Sequence, residues 1–398
     1  MSDEIIKDTN ADEITENKKR FESRKKKRHA KKNRTLLIII LILVVSIGCT
    51  MYMNMDNPLL SGMFSGFGIS NKGVNIEFEK TEDYAVAEFD GDVVVARNTI
   101  VSCIDHKMNS KWTVEQNNAM PVIKSNGKYV LTYSFDVAGA VLTKGGKSQT
   151  IATENPIVGG SVNKNGYCAI VTREKGYKAQ VLVFSPDGDV VFKWHSADNY
   201  ILDVDVSYDN KCLAIATADF STDMVSGGLM FFNFSQEKPY AGQILENNMI
   251  MEIKFIGKDS LLVVGDMGSA VFGGDGEKKR EYLYGGKKLN NYDIGTENNL
   301  VLALTEGDSV LKDTQIKILN KDLKEKGNYT AKGAVSCINA VGDRVLLSTD
   351  RDVILLSKGG KELNLLNLNK DINEAVLFGN GKSALIASGG IAEIIDVD

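Results

Sequence analysis

Asp203 and Asp205 stand two residues apart in Ile201-Leu202-Asp203-Val204-Asp205-Val206. On a strand, both carboxylates would point to one side, as a general acid and base must. The commoner use of such acids is to face a solvated channel or to cap a turn. Downstream, Ala218 to Gly228 carries Asp219, Ser221, Thr222 and Asp223 on a connection longer than its counterparts. Long loops on rigid scaffolds tend to carry function, so these four form the candidate binding loop. Their oxygens follow no recognised calcium spacing.

His29, His106 and His195 fall in no metal pattern, and neither a Gly-x-Ser-x-Gly elbow nor a P-loop occurs. No catalytic residue, cofactor or metal site is therefore expected. The five cysteines, at 49, 103, 168, 212 and 337, include no C-x-x-C pair, against zinc or thioredoxin-like chemistry. Cys168 and Cys212 hold equivalent places in adjacent repeats. A bridge between them stays open, with buried free thiols favoured because small apolar strand positions suit Cys.

The elements that would position these residues follow from a repeat. Hairpin-type turns fall at Asp90-Gly91, Asn126-Gly127, Asn165-Gly166, Asp209-Asn210, Lys258-Asp259, Asn298-Asn299, Gly342-Asp343 and Asn380-Gly381. Their mean spacing of about 41 residues is that of propeller blades. Each turn is preceded by a strand such as Tyr84 to Phe89 and followed by a fully apolar one such as Val93 to Ala96. Strands apolar on both sides belong inside a sheet covered on two faces. A third strand follows, then a fourth, more polar one suited to a solvated edge, as in Val190 to Trp194.

The last repeat ends at Asp398 after its third strand. Val74 to Glu79 can supply the missing fourth strand, which would close the ring and remove two open edges. The fold expected is all-β, an eight-bladed β-propeller of four-stranded blades over residues 74–398. Seven blades are the chief alternative, and a solenoid, which needs no complementary ends, is disfavoured.

Ahead of it, residues 1–34 form a charged tail with 12 basic and 7 acidic residues, a net +5. With −5 for the whole chain, everything after the tail carries −10, which disfavours polyanion binding there. Residues 35–53 are free of charge, enough for a transmembrane helix of about 28 Å. The basic run Arg24 to Arg34 abuts its N-terminal side, so the positive-inside rule puts the N-terminus in the cytoplasm and the large domain outside. Ser46-Ile47-Gly48-Cys49 only faintly resembles a lipoprotein cleavage site. The tail reads as a topology signal that also contacts anionic lipids rather than nucleic acid. Residues 54–73 form a linker rich in Gly, Ser, Met and Asn.

Trp112 and Trp194 each follow a Lys in a fourth strand, which resembles the blade motif of quinoprotein-type propellers. A wider resemblance is carried by the fourth repeat, Asp203-Val204-Asp205-Val206-Ser207-Tyr208-Asp209-Asn210-Lys211-Cys212-Leu213-Ala214-Ile215, then Gly227 to Phe234. With the tail and the single span, this resembles a Gram-positive family of uncharacterised, membrane-anchored β-propeller proteins. That family's Asp-x-Ser-x-Asp-Gly turn has Asn210 in place of its Gly, and Asn also tolerates positive φ. The resemblance implies fold and location but no activity.

The function expected is that of a noncatalytic scaffold in the cell envelope, binding an envelope protein or wall polymer. The alternatives are a ligand sensor that reports through the cytoplasmic tail, and an enzyme with its site at the channel mouth.

Overall fold

The computed structural model describes residues 76–77, 83–117, 119–220, 226–307 and 313–398. The expected tail, span and linker lie outside the described residues, and so do Cys49 and His29. Among the described residues no helix is long and apolar enough to cross a membrane.

Strands organise the chain into eight antiparallel four-stranded sheets, each a blade. Seven are built from four consecutive strands. The innermost strands of blades 1 to 8 are Ala85–Phe89, Pro121–Asn126, Ile157–Val162, Tyr200–Val206, Ile250–Phe255, Lys288–Ile294, Cys337–Val341 and Glu374–Leu377. Blade 8 takes its outer strand from the N-terminal side. Ile76 and Glu77 pair antiparallel with Ala392 and Ile391. The ring thus closes as the missing strand predicted, with eight blades rather than seven.

Its cores lie between the blades. Eight apolar clusters fill the eight gaps, including the one between blades 8 and 1. Second strands feed two clusters at once, which explains their unbroken apolar sequence. In blade 1, Val93 and Val95 face blade 8, whereas Val94 and Ala96 face blade 2. The tryptophans reach across in the same way. Trp112 lies against the Gly146 turn of blade 2, and Trp194 packs on Phe232 of blade 4 with ring centroids 5.0 Å apart.

The turns between first and second strands gather on one side of the ring, the turn face; the opposite side is the loop face. Asn210 takes φ +59°, the left-handed geometry expected of it. Lys258-Asp259 is an exception among the predicted turns, with no residue at positive φ.

Cys168 and Cys212 are free thiols. Alternation sends them in opposite directions, Cys168 into the core shared with blade 2 and Cys212 toward the core shared with blade 5. Burial pushes the Cys168 thiol up to about 12, so it is protonated and inert at neutral pH. A reductant is expected to leave the thermal midpoint of the ring unchanged. A drop of several degrees in a melt with and without reductant would require a bridge that this geometry does not permit.

Candidate functional site

The sequence places Asp203 and Asp205 on the inner strand of blade 4, and the structure points both carboxylates to one side, as alternation requires. That side is the neighbouring blade. Asp203 Oδ2 accepts a 2.8 Å hydrogen bond from Ile253 N–H, and Asp205 Oδ2 a 2.7 Å bond from Phe255 N–H. Two acids spaced by two residues thus meet two amides spaced by two residues on the inner strand of blade 5. Similar seams recur around the ring. Asp293 accepts from Ala340 N–H at 2.6 Å, joining blades 6 and 7, and Asn339 Oδ1 accepts from Leu377 N–H at 2.8 Å, joining blades 7 and 8.

The rest of the fourth-repeat motif is also structural. Ser207 Oγ accepts from the N–H groups of Lys211 and Cys212 and donates to Asp209 Oδ1 at 2.8 Å, which fixes the turn. Asn163 and Asn165 of blade 3 donate to Asn210 Oδ1 at 2.6 and 3.1 Å, fastening that turn to the preceding blade. Blade 4 is therefore held on both sides by the residues that carried the family resemblance.

The channel itself is a cavity of about 870 Å³ lined largely by inner strands and the turns that follow them. Its charged lining includes Glu88, Lys124, Glu252, Lys254 and Asp293. Sequence reasoning passed over these, although Glu252 and Lys254 alternate just as Asp203 and Asp205 do. The lysines sit among acids. Burial works against protonation of Lys124, yet Asp203 and then Glu252 raise its affinity for the proton. Desolvation pushes Asp203 up to about 7 against the pull of Lys124, and pushes Asp205 to about 7 against its backbone donors. Asp293 is raised to about 6, again mainly by burial. Such groups can exchange protons near neutrality, but Asp203, Asp205 and Asp293 each have an oxygen engaged by a neighbouring blade.

The candidate binding loop leaves blade 4 on the loop face. Asp219 ends the second strand, Cys212–Asp219, and Ser221, Thr222 and Asp223 lie outside the described residues. Within the loop, Phe220 is 55% exposed and meets the ring of Tyr200 edge-on, with centroids 5.7 Å apart. These two aromatics were not singled out from sequence, because a lone Phe after a strand is ordinary until its exposure is known.

The other histidines have local roles or none. His195 Nε2 lies 2.9 Å from Gln180 Nε2, and its ring stacks on Tyr177 at 4.6 Å. Among the described residues no group of three or more His, Cys, Asp or Glu side chains is placed to hold a metal.

Eight radial four-stranded blades with a strand from before the first repeat completing the last define a β-propeller. Among solved structures, the chain is similar to the C-terminal WD40 domain of Sif2, with a TM-score of 0.57 and 11% identity over 82% of this chain and 99% of that one. It is also similar to the Dos1 propeller, with a TM-score of 0.54 and 10% identity over 81% of this chain and 93% of that one. At these identities the likeness is one of fold. No curated protein matches the chain. Residues 70–395 match a family of unknown function, DUF5711, and the chain belongs to that family.

Proposed function

We propose that this propeller is a noncatalytic docking module, tethered outside the cell membrane by residues 35–53, that binds an envelope protein or wall polymer. The observation that carries the reading is the use made of the channel acids. Asp203, Asp205 and Asp293 brace one blade against the next, so the residues that looked most like chemistry serve rigidity. A rigid ring with variable loops is suited to presenting a binding surface.

Ile76–Glu77 runs antiparallel to Ile391–Asp396, so the chain joins blade 8 from the turn face and runs toward the loop face. The basic tail supplies contacts to anionic lipid headgroups on the cytoplasmic side.

Crosslinking in intact cells, followed by purification of the full-length protein, tests the proposal against an anchor-only control of residues 1–73. Reproducible enrichment of one envelope component, lost when Ala218 to Gly228 is shortened, is the expected result. Recovery of nothing above the control would remove the docking role. It would turn attention to the channel cavity, whose polar lining suits a small ligand and hence a sensor. Deleting residues 2–23 separates these readings, since a scaffold keeps its function without the tail and a sensor does not.

A further inference from the structure

We infer that the loop face of blades 2 to 5 docks a polypeptide segment combining apolar side chains with Lys or Arg, an inference that rests on the docking reading above. Exposed apolar side chains recur there on four successive blades. In blade 2, Phe135 N–H bonds Met120 O at 2.9 Å, setting two exposed apolar side chains together. Arg173 of blade 3 bonds Asp136 at 2.5 Å, tying the next loop alongside. From that loop, which exposes Tyr177, Lys178 Nζ reaches Tyr200 Oη at 3.3 Å, and Tyr200 meets Phe220. Met267, 48% exposed, continues the arc on blade 5, held where its N–H bonds Asn248 Oδ1 at 3.1 Å. Among the described residues, the loop face of blades 1, 6 and 7 exposes no large apolar side chain.

Charge differs between the two halves of this face. Glu115 at the end of the outer strand of blade 1, and Glu154, Asp198 and Glu246 in the connections leading into blades 3, 4 and 5, are exposed carboxylates. The connections leading into blades 6, 7 and 8 carry Lys287, Lys332 and Lys370, the last beside Asp371. Exposed acids also occur on the other half, at Glu306, Asp350 and Asp371, so the half that exposes aromatics and methionines is set apart by its scarcity of lysines rather than by acids alone. The cations within the arc lie in one loop of blade 3, where Arg173 is paired with Asp136, Lys178 lies over the Tyr200 ring at 4.6 Å, and Lys175 is exposed.

Exposed aromatics are the side chains that anchor interfaces, and methionine adapts its shape to the partner. A carboxylate rim accelerates the approach of a cationic partner and repels an anionic one. Tyrosine faces add attraction for Lys and Arg, as Lys178 already demonstrates within the chain. An acidic wall polymer or an anionic lipid surface does not fit this half of the ring.

The test uses the full-length protein in nanodiscs and three synthetic peptides of equal length, built from Leu and Lys, Leu and Glu, and Ser and Lys. The Leu–Lys peptide is expected to bind and the other two to bind at least tenfold more weakly. Tyr200→Ala with Phe220→Ala should weaken the Leu–Lys peptide about tenfold or more. Glu154→Gln, Asp198→Asn and Glu246→Gln together should weaken it and flatten its salt dependence, whereas Lys332→Gln should do neither. Of the side chains changed, only Tyr200 and Phe220 belong to the contacts described above, and a thermal melt verifies that each variant folds.

Equal binding of the Leu–Glu or Ser–Lys peptide, or indifference to the aromatic pair, overturns the inference. So does self-association in sedimentation that the Tyr200 and Phe220 changes abolish, which would make the arc a contact between copies. The two readings fail separately. An envelope partner captured in cells and retained by the Tyr200→Ala/Phe220→Ala protein removes this surface but keeps docking. An empty capture removes docking itself.

Discussion

Asp205→Ala is expected to lower the unfolding free energy of the ring by about 2 to 3 kcal/mol, because it leaves a buried amide without its acceptor. The amide is Phe255 N–H, on the inner strand of a blade whose Phe255 side chain is fully buried. Water cannot easily replace the lost oxygen, since Asp205 is itself only 4% exposed. Asp205→Asn should behave differently. Its Oδ1 can still accept from Phe255, while its uncharged amide avoids the desolvation that ionisation brings. Ser161, whose buried hydroxyl neighbours the carboxylate and favours its charged form, offers an acceptor for the new N–H.

The pH dependence separates the two variants. Asp205 titrates near 7 in the folded ring, chiefly through burial, against about 3.9 in an unfolded chain. The folded state therefore binds more protons between these values, and the stabilisation is complete below about 4 and is lost as pH rises toward 7. The limiting slope is about 1.4 kcal/mol per pH unit for one such group. Asp203, also raised to about 7, contributes in the same direction, and Asp293, near 6, over a narrower window. Denaturant unfolding of residues 70–398 between pH 5 and 8 should accordingly show stability falling with pH in this window, with a shallower fall in Asp205→Asn. A stability that rises over this range in the native ring, or an Asp205→Asn slope equal to the native one, would contradict the seam as described.

Asp205 also shows where sequence reading stops. That Asp203 and Asp205 share a side followed from period-two alternation, and the structure agrees. Which surface lies on that side did not follow, because the acceptors' partners are backbone amides on a strand about 50 residues away. Backbone amides leave no trace in residue types. Blade number was legible because each blade repeats one local unit, turn then apolar run, and because Asp398 leaves the last unit short of a strand. The loop-face arc was not, since Met120, Phe135 and Phe220 are unremarkable apolar residues until the fold leaves them exposed. Lys124 stood in a polar run after the apolar pair Val122 and Ile123, and only ring closure brings it near Asp203 and Glu252.

Gly379→Val is expected to cost about 3 kcal/mol, because the site abuts backbone rather than a side chain that could move. A Cβ at 379 would lie 2.5 Å from Gly91 Cα, and Gly379 N–H bonds Gly91 O at 2.9 Å, so the contact is the seam between blades 8 and 1. Gly257 holds the corresponding place in blade 5, but nothing lies closer to its Cβ position than 3.7 Å. Gly257→Val should therefore cost well under half as much, which isolates the seam from any general effect of replacing glycine. Starting the chain at Asp83 attacks the same blade from its rim. It removes Ile76, which packs on the core between blades 8 and 1, and bares the edge of Ile391–Asp396 to pairing with other chains. If closure makes the ring one cooperative unit, either change should open blade 8 first and turn a single unfolding transition into two. Changes that damage one shared seam also combine less than additively. Denaturant titration of the two single variants and the combination decides the matter. Additive losses with a single sharp transition throughout would mean that blades 8 and 1 are held by their neighbours rather than by the strand that closes the ring.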